Sequence, residues 1–179
     1  RAYKDEIQYI VNNKARNTFL TNLTCSLNKN TLLLFNYVDH GKYLYQKIKQ
    51  QSPERDVFLV YGMIEGQERE EVRKYAEQND NVIIVASYKT FSTGVNIPNL
   101  HNVIFASPSK SRIRVLQSIG RTLRTSADKQ HAVLYDVADD FTWKSYKNHT
   151  IKHFSERIQM YNQEKFEYKI YTINLKGSV

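Results

Sequence analysis

Three arginines and a glutamine on one stripe of a short helix are the residues best equipped for chemistry in this chain. In Ser111–Arg124 (SRIRVLQSIGRTLR), helical spacing gathers Ile113, Leu116, Ile119 and Leu123 on one sector. Arg114, Gln117, Arg121 and Arg124 fall on another, roughly 125° away. Such a stripe needs solvent or an anion opposite it, and the spacing alone allows both. Gly120 sits inside the same stretch. A glycine there costs roughly 1 kcal/mol against alanine, and a close approach by backbone or ligand would account for it. Ser87–Asn96 (SYKTFSTGVN) is a second candidate, directly after a run of apolar residues. Hydroxyls and free backbone amides in a strand-to-helix loop suit phosphate or ribose oxygens. An ordinary surface loop capped by Ser and Thr fits that segment equally well.

Both segments depend on the elements before them. Ile7, Ile10, Val11, Phe19, Leu23 and Leu27 step by near three and four, which predicts one helix over 4–28. Thr31–Asn36 (TLLLFN) is a short continuous apolar run, the form of a strand buried on both faces. Similar runs at Val57–Tyr61, Val82–Ala86, Val103–Ala106 and Ala132–Val137 predict four more strands. Asp39 is expected to cap a helix over 40–51, closed by Ser52-Pro53. Gln67–Gln78 reads as a charged helix with Val72, Tyr75 and Ala76 inward, and a further helix opens at Ser109 or Ser111. Strands alternating with helices from 31 to 137 mark an α/β domain with a mainly parallel sheet. Ligands of such sheets bind beyond the carboxyl ends of the strands. The segments to inspect are therefore 36–40, 61–67, 87–96, 106–111 and 137–140. Beyond these, Ile151, Phe154, Ile158 and Tyr161 predict a helix, and the alternation of Phe166, Tyr168 and Ile170 with Glu167, Lys169 and Tyr171 predicts a strand.

The 179 residues hold 26 Lys plus Arg against 18 Asp plus Glu, a net charge of +8, which favours a polyanionic partner. With 41% hydrophobic and 25% charged residues the composition is globular, which excludes a collagen-like repeat or a long disordered tail. No apolar run is long enough to span a bilayer and the N-terminus is polar throughout, so neither membrane insertion nor a signal peptide is expected. A single cysteine, Cys25, rules out an internal disulfide and suits a reducing, cytoplasmic setting. His101 and His131 flank strands singly, without matching Cys or carboxylate spacing, so no metal site is expected.

The order of the pieces carries more than any one of them. TLLLFNYVDHGKYL, then VYG and a charged helix, then VIIVASYKTFSTGVNIPNLHNVIFA, then QSIGRTLR resembles the second motor domain of superfamily 2 helicases, with motifs IV, V and VI in order. The likeness covers roughly 30–140, and among relatives it is nearest to phage recombination and repair DNA helicases of the UvsW type. The resemblance implies a RecA-like domain at 31–140, a helical connector at 1–30 from an absent N-terminal motor domain, and an α+β extension at 141–179. It implies that Arg121 and Arg124 are arginine fingers reaching the γ-phosphate of ATP held with Mg2+ mainly by that absent RecA-like domain. Arginine suits the task, because it stays charged and presents a planar fork of donors. Gln117 takes the position that senses the nucleotide, and Gly94, Asn96 and Gly120 complete that set. Asn96 departs from the family's usual Asp, keeping an acceptor and losing the charge. Ser118 departs from the relatives that carry Arg there.

By position, Asn36, Tyr37, Ser87, Tyr88 and Thr93 are implied contacts to a DNA backbone, single-stranded or branched, with Lys110 and Arg112 nearby. For Tyr37 and Tyr88 the plainer alternative is a packing role. No G-x-x-x-x-G-K-[ST] is present; before Gly41-Lys42 the required glycine is Asn36, and Tyr43 stands where Ser or Thr should hold magnesium. No strand ending in Asp-Glu precedes motif IV, and Asp139-Asp140 reads as a loop or cap. These residues alone are therefore expected to hydrolyse no ATP. The alternatives are a non-catalytic α/β module that binds nucleic acid, and the same motor domain in a restriction- or chromatin-type translocase.

Overall fold

The computed structural model describes residues 1–62, 66–92, 97, 99–108 and 132–175. The helices are α1 (Ala2–Asn12), α2 (Lys14–Ser26), α3 (Val38–Gln51), α4 (Gly66–Gln78), the single turn α5 (Tyr88–Ser92) and α6 (His149–Gln163). The strands are β1 (Thr31–Phe35), β2 (Val57–Val60), β3 (Ile83–Ser87), β4 (Asn102–Phe105) and β5 (Val133–Asp136). They form one sheet in the order β2-β3-β1-β4-β5 with every pairing parallel. All five apolar runs thus become strands, and the RecA-like expectation of a parallel sheet between helices holds. The helix expected to open at Ser109 or Ser111 lies outside the described residues.

Central strands β1, β3 and β4 are buried along their whole length because both sheet faces are covered. Alternate residues serve opposite layers. Leu33, Phe35, Ile83, Val85 and Ile104 pack with Leu20 of α2 and with Leu44 and Ile48 of α3. Leu32, Leu34, Ile84, Ala86, Val103 and Phe105 pack with Ala76 of α4 and Tyr161 of α6. α2 and α6 are therefore packed layers of this body.

Four local expectations change, the first being Tyr75, expected inward on α4, which is exposed with its hydroxyl donating to Asp56 Oδ2. The helix predicted over 4–28 breaks at Asn13, whose side-chain oxygen accepts the Arg16 N–H at 3.0 Å and so caps α2. Asn17 Nδ2 donates to Val11 O at 3.0 Å and satisfies the end of α1. Asp39 does not cap α3. The cap position is Tyr37, and Asp39 lies in the first turn, where its charge complements the helix dipole. The alternating run from Phe166 to Tyr171 joins no strand. Alternation supplies β propensity, but a strand also needs a ladder partner, and the described tail pairs with neither edge strand, β2 or β5, its Phe166 N–H closing back on Tyr161 O instead.

Side chains stitch the amino edge of the sheet. Asn30 Nδ2 donates to the carbonyls of Ala76, Asn79 and Asn99, and its Oδ1 accepts the Val82 N–H. Arg55 donates to Leu27 O and Lys29 O at 2.7 and 2.9 Å. At the opposite edge, α3 sits so low on β1 that a Cβ on Gly41 would overlap the Phe35 ring. Gly41 is thus a packing glycine. Gly41→Ala is expected to destabilise the domain by about 1–3 kcal/mol in urea unfolding, despite the higher helix propensity of alanine. Adding Phe35→Leu should recover part of that loss. A Gly41→Ala variant as stable as the parent would refute this seating of the helix.

Candidate functional site

The register aligns the carboxyl ends of the strands. Val60 pairs with Ala86, Phe35 with Ser87, Leu34 with Phe105, and Phe105 with Asp136. From β1 the chain crosses to β2 on one side, and β4 is followed by β5 on the other. The topological switch point therefore lies between β1 and β4, where parallel sheets open a crevice for ligands. Asn36 and Tyr37 follow β1 there and are exposed. Ala106 and Ser107 follow β4 and are buried.

A polar network underlies this crevice. Arg16 is 2% exposed, and its Nη1 donates to Ala106 O at 2.7 Å while its Nε donates to Asp139 Oδ1 at 2.7 Å. Arg16 Nη2 and Asp139 Oδ2 are buried and have no hydrogen-bond partner among the described residues. His40 of α3 lies between Ser107 Oγ at 3.2 Å from Nδ1 and Asn17 Oδ1 at 2.8 Å from Nε2. Asn17 Oδ1 can only accept, so Nε2–H donates to it, and Nδ1 accepts from the Ser107 hydroxyl. Burial, with a lesser push from the Arg16 charge, lowers the His40 pKa to about 4. The imidazole is therefore neutral at pH 7, in keeping with this pattern of donors and acceptors.

The far side of the edge is fastened by α6. Asp136, the last residue of β5, accepts from Arg157 Nε and Nη2 at 2.7 and 2.9 Å and from the Tyr161 hydroxyl at 2.6 Å. Glu6 of α1 reaches the N-terminus of α6 and accepts from the backbone N–H groups of His149 and Thr150. Burial pushes the Glu6 carboxyl up, but these amides with the Asn148 and Thr150 side chains outweigh it and hold the pKa below the ordinary range. Asp139 and Asp140 form a loop, as expected, with Asp140 Oδ1 accepting the Thr142 N–H at 2.9 Å.

The sequence-derived site residues divide sharply. Asn36 and Tyr37 stand exposed at the switch point. Ser87 is buried, its hydroxyl 2.7 Å from that of Thr90. Tyr88 is 6% exposed, meets Phe105 edge to face and donates its hydroxyl to Ser107 O at 3.1 Å. Its position is that of a packing group, not of an exposed strand contact. Thr93, Gly94, Asn96, Lys110, Arg112, Gln117, Gly120, Arg121 and Arg124 lie outside the described residues. For those from Lys110 to Arg124, the described residues on either side are Pro108, beyond the carboxyl end of β4, and Ala132, just before β5 at the amino edge. Sequence reasoning missed Arg16, His40 and Ser107. For Arg16 and His40 the signal was a polar residue type on a helix, which periodicity alone does not interpret, while His40 and Ser107 also fall in the segments 36–40 and 106–111 beyond the strand ends. Among the described residues, no group of three or more His, Cys, Asp or Glu is gathered for a metal, and no helix is long and apolar enough to cross a membrane.

Comparison with known proteins agrees with this architecture. The family model described as helicase conserved C-terminal domain matches residues 15–126. The chain is 37% identical over 188 aligned positions to the ATP-dependent DNA helicase uvsW of Enterobacteria phage T4, covering 98% of this chain and 37% of that protein. It therefore spans little more than a third of that relative's length. The crystal structure of T4 UvsW superposes with a TM-score of 0.81, over 98% of this chain and 38% of the other. The C-terminal domain of the DEAD-box protein Dbp5 superposes with a TM-score of 0.64 at 18% identity, over 85% and 81% of the two chains, a likeness of fold alone.

The His40 geometry makes stability depend on pH. Its folded pKa of about 4 lies below the ordinary 6.5, so the unfolded chain binds the extra proton between those values. The His40 contribution is complete above pH 6.5 and is lost as pH falls towards 4, by up to about 3 kcal/mol. Urea unfolding of the parent and of His40→Gln at pH 7 and pH 5 isolates this part. The parent should lose more stability than the variant, and equal losses would place His40 outside the linkage.

Proposed function

Because the chain belongs to the family of helicase conserved C-terminal domains, we propose that it is the second motor domain of an ATP-dependent DNA helicase or translocase acting in recombination, repair or replication-fork processing. The observation that carries the reading is the 37% identity to an ATP-dependent DNA helicase across 98% of the chain. The family match at 15–126 includes the Gln117–Arg124 stretch, which supplies the reading with its chemistry.

In this reading ATP and Mg2+ sit mainly on a first RecA-like domain of the same protein, to which residues 1–30 lead. Closure of the two domains brings Arg121 and Arg124 to the γ-phosphate. As water attacks phosphorus and the bond to ADP breaks, the two guanidiniums stabilise the charge on the transferred oxygens. Gln117 senses the nucleotide, Gly94 and Gly120 permit close approach of backbone, and Asn96 accepts a ribose or interdomain hydrogen bond. Asn36 and Tyr37, exposed at the switch point, hold the DNA backbone together with Thr93, Lys110 and Arg112. Buried Ser87 and Tyr88 shape that edge from beneath. Contacts that differ between the ATP and ADP states bias closure and shift one strand-binding surface against the other. The protein works in the cytoplasm, that of the infected host if a phage encodes it.

Arg121→Ala and Arg124→Ala test the reading in a protein that contains this chain together with a Walker A motif. Each is expected to leave ATP binding intact and to lower DNA-stimulated turnover by roughly 10³-fold. Turnover within a factor of two of the parent removes both residues from the mechanism.

A further inference from the structure

Four large aromatic side chains crowd one exposed corner of the molecule, and the proposed motor chemistry gives them no role. Trp143 is 73% exposed, Tyr146 61%, Tyr9 54% and Phe141 42%. Exposed rings gathered in this way mark an interaction surface.

The corner is a built feature. Phe141 N–H donates to Asn148 Oδ1 at 2.9 Å, and Asn148 Nδ2 donates to Asp139 O at 3.0 Å, so the excursion from 141 to 147 is clipped shut at its base. Asp139 in turn is held by Arg16, which fixes the base to the carboxyl edge of the sheet. Within the excursion, Trp143 N–H donates to Tyr146 O at 3.0 Å and Tyr146 N–H to Trp143 O at 2.9 Å. This reciprocal pair encloses a two-residue turn in which Lys144 adopts φ 54°. Residues directly opposite in such a pair project to the same face, with Cα atoms about 5.5 Å apart. Trp143 and Tyr146 thus stand side by side on one face of a tight turn. Tyr9 meets Phe141 edge to face at 5.4 Å and supports the flank.

Positive charge predominates around the rings; the exposed carboxylate among it is Asp140, whose Oδ1 accepts the Thr142 N–H and whose charge interacts with Lys147. Residues 141–153 (FTWKSYKNHTIKH) contain three lysines, two histidines and no acidic side chain. Lys152 Nζ lies 5.3 Å from the centre of the Tyr146 ring. Asp139 is paired with Arg16.

We propose that Trp143 and Tyr146 form a stacking platform for the bases of a single nucleic-acid strand, with Lys144, Lys147 and Lys152 facing its phosphates. Rings that accept any base and lysines that follow the backbone are the two components of sequence-independent single-strand binding. The platform rests on the nucleic-acid part of the proposed function and extends it, because it lies outside motifs IV, V and VI. Its place at the carboxyl edge, beyond β5, lengthens the strand path that begins at Asn36 and Tyr37.

Trp143 is the single tryptophan of the chain, so its emission reports the stacking directly. The chain is titrated with unlabelled oligothymidylate of about 20 nucleotides while tryptophan emission is recorded. In parallel, fluorescein-labelled oligothymidylate and oligouridylate of that length are followed by anisotropy, which compares DNA with RNA. Quenching that saturates with binding is expected. Trp143→Ala should weaken affinity about tenfold, and Trp143→Phe should retain most of it. The double variant Lys144→Ala, Lys147→Ala should make the fall of log affinity with log salt shallower, by roughly 0.7 in slope for each phosphate that is no longer neutralised. Thermal melting of each variant checks that the fold is intact, as the exposure of these side chains leads one to expect. Oligonucleotide binding with unchanged emission and no effect of Trp143→Ala overturns the platform and leaves the proposed function standing. Failure of both oligonucleotides to bind overturns the platform together with the nucleic-acid surface on which it rests. A change of oligomeric state in Trp143→Ala, with affinity unaltered, assigns the rings to a protein interface and also overturns it.

Discussion

A buried guanidinium holds the functional edge of this domain in shape. Arg16 stands on α2, bonds the carbonyl of Ala106 at the end of β4, and pairs with Asp139 beyond β5. Three segments distant in the chain meet on one side chain that is 2% exposed. A buried ion pair of this kind adds little net stability, because desolvation offsets most of the attraction. Losing one partner is costly, since the other is left charged and unpaired. Its contribution is therefore one of geometry. It fixes how β4 and β5 end, and so where the segments that follow them begin.

Around that interaction the molecule is asymmetric. Its amino edge is closed by Asn30 and Arg55, which spend their donors on backbone carbonyls. Its carboxyl edge combines buried support with exposed residues. His40, Ser107, Glu6 and Arg157 lie beneath or beside it as partners of other polar groups, while Asn36 and Tyr37 remain exposed above. This arrangement suits a motor half whose contacts must be rigid within the domain and exchangeable between domains. The helices on either side serve the same end. α2 and α6 pack on opposite faces, so both ends of the described chain brace the edge on which the proposed chemistry depends.

Much of the fold was legible because burial on both faces writes a continuous apolar run. Thr31–Phe35 and Ile83–Ser87 have that form, and both became central strands. Short-range competition was less legible. Asn13 breaks a helix that apolar periodicity carries straight through, because its side chain offers the Arg16 N–H a better partner than the next turn does. Tyr88 was open between strand contact and packing until Phe105 and Ser107 O were placed against it. The strand pattern after Phe166 was real as a propensity, but the described tail pairs with neither edge strand, β2 or β5.

The sequence by itself determined the alternation of strands and helices, the order of the motif-like segments, the basic balance and the family resemblance. Each of these depends on residue types at fixed short spacing, which the chain carries whether folded or not. The tertiary structure alone decided that Arg16 meets Asp139 across 123 positions, that His40 is buried and neutral between Asn17 and Ser107, and that Trp143 and Tyr146 share one face of a clipped turn. The Arg16 and His40 pairings arise when the sheet closes and brings distant polar groups into a space without water, where a buried polar group needs a partner from another element, whereas the exposed turn takes its place from the clip at its base.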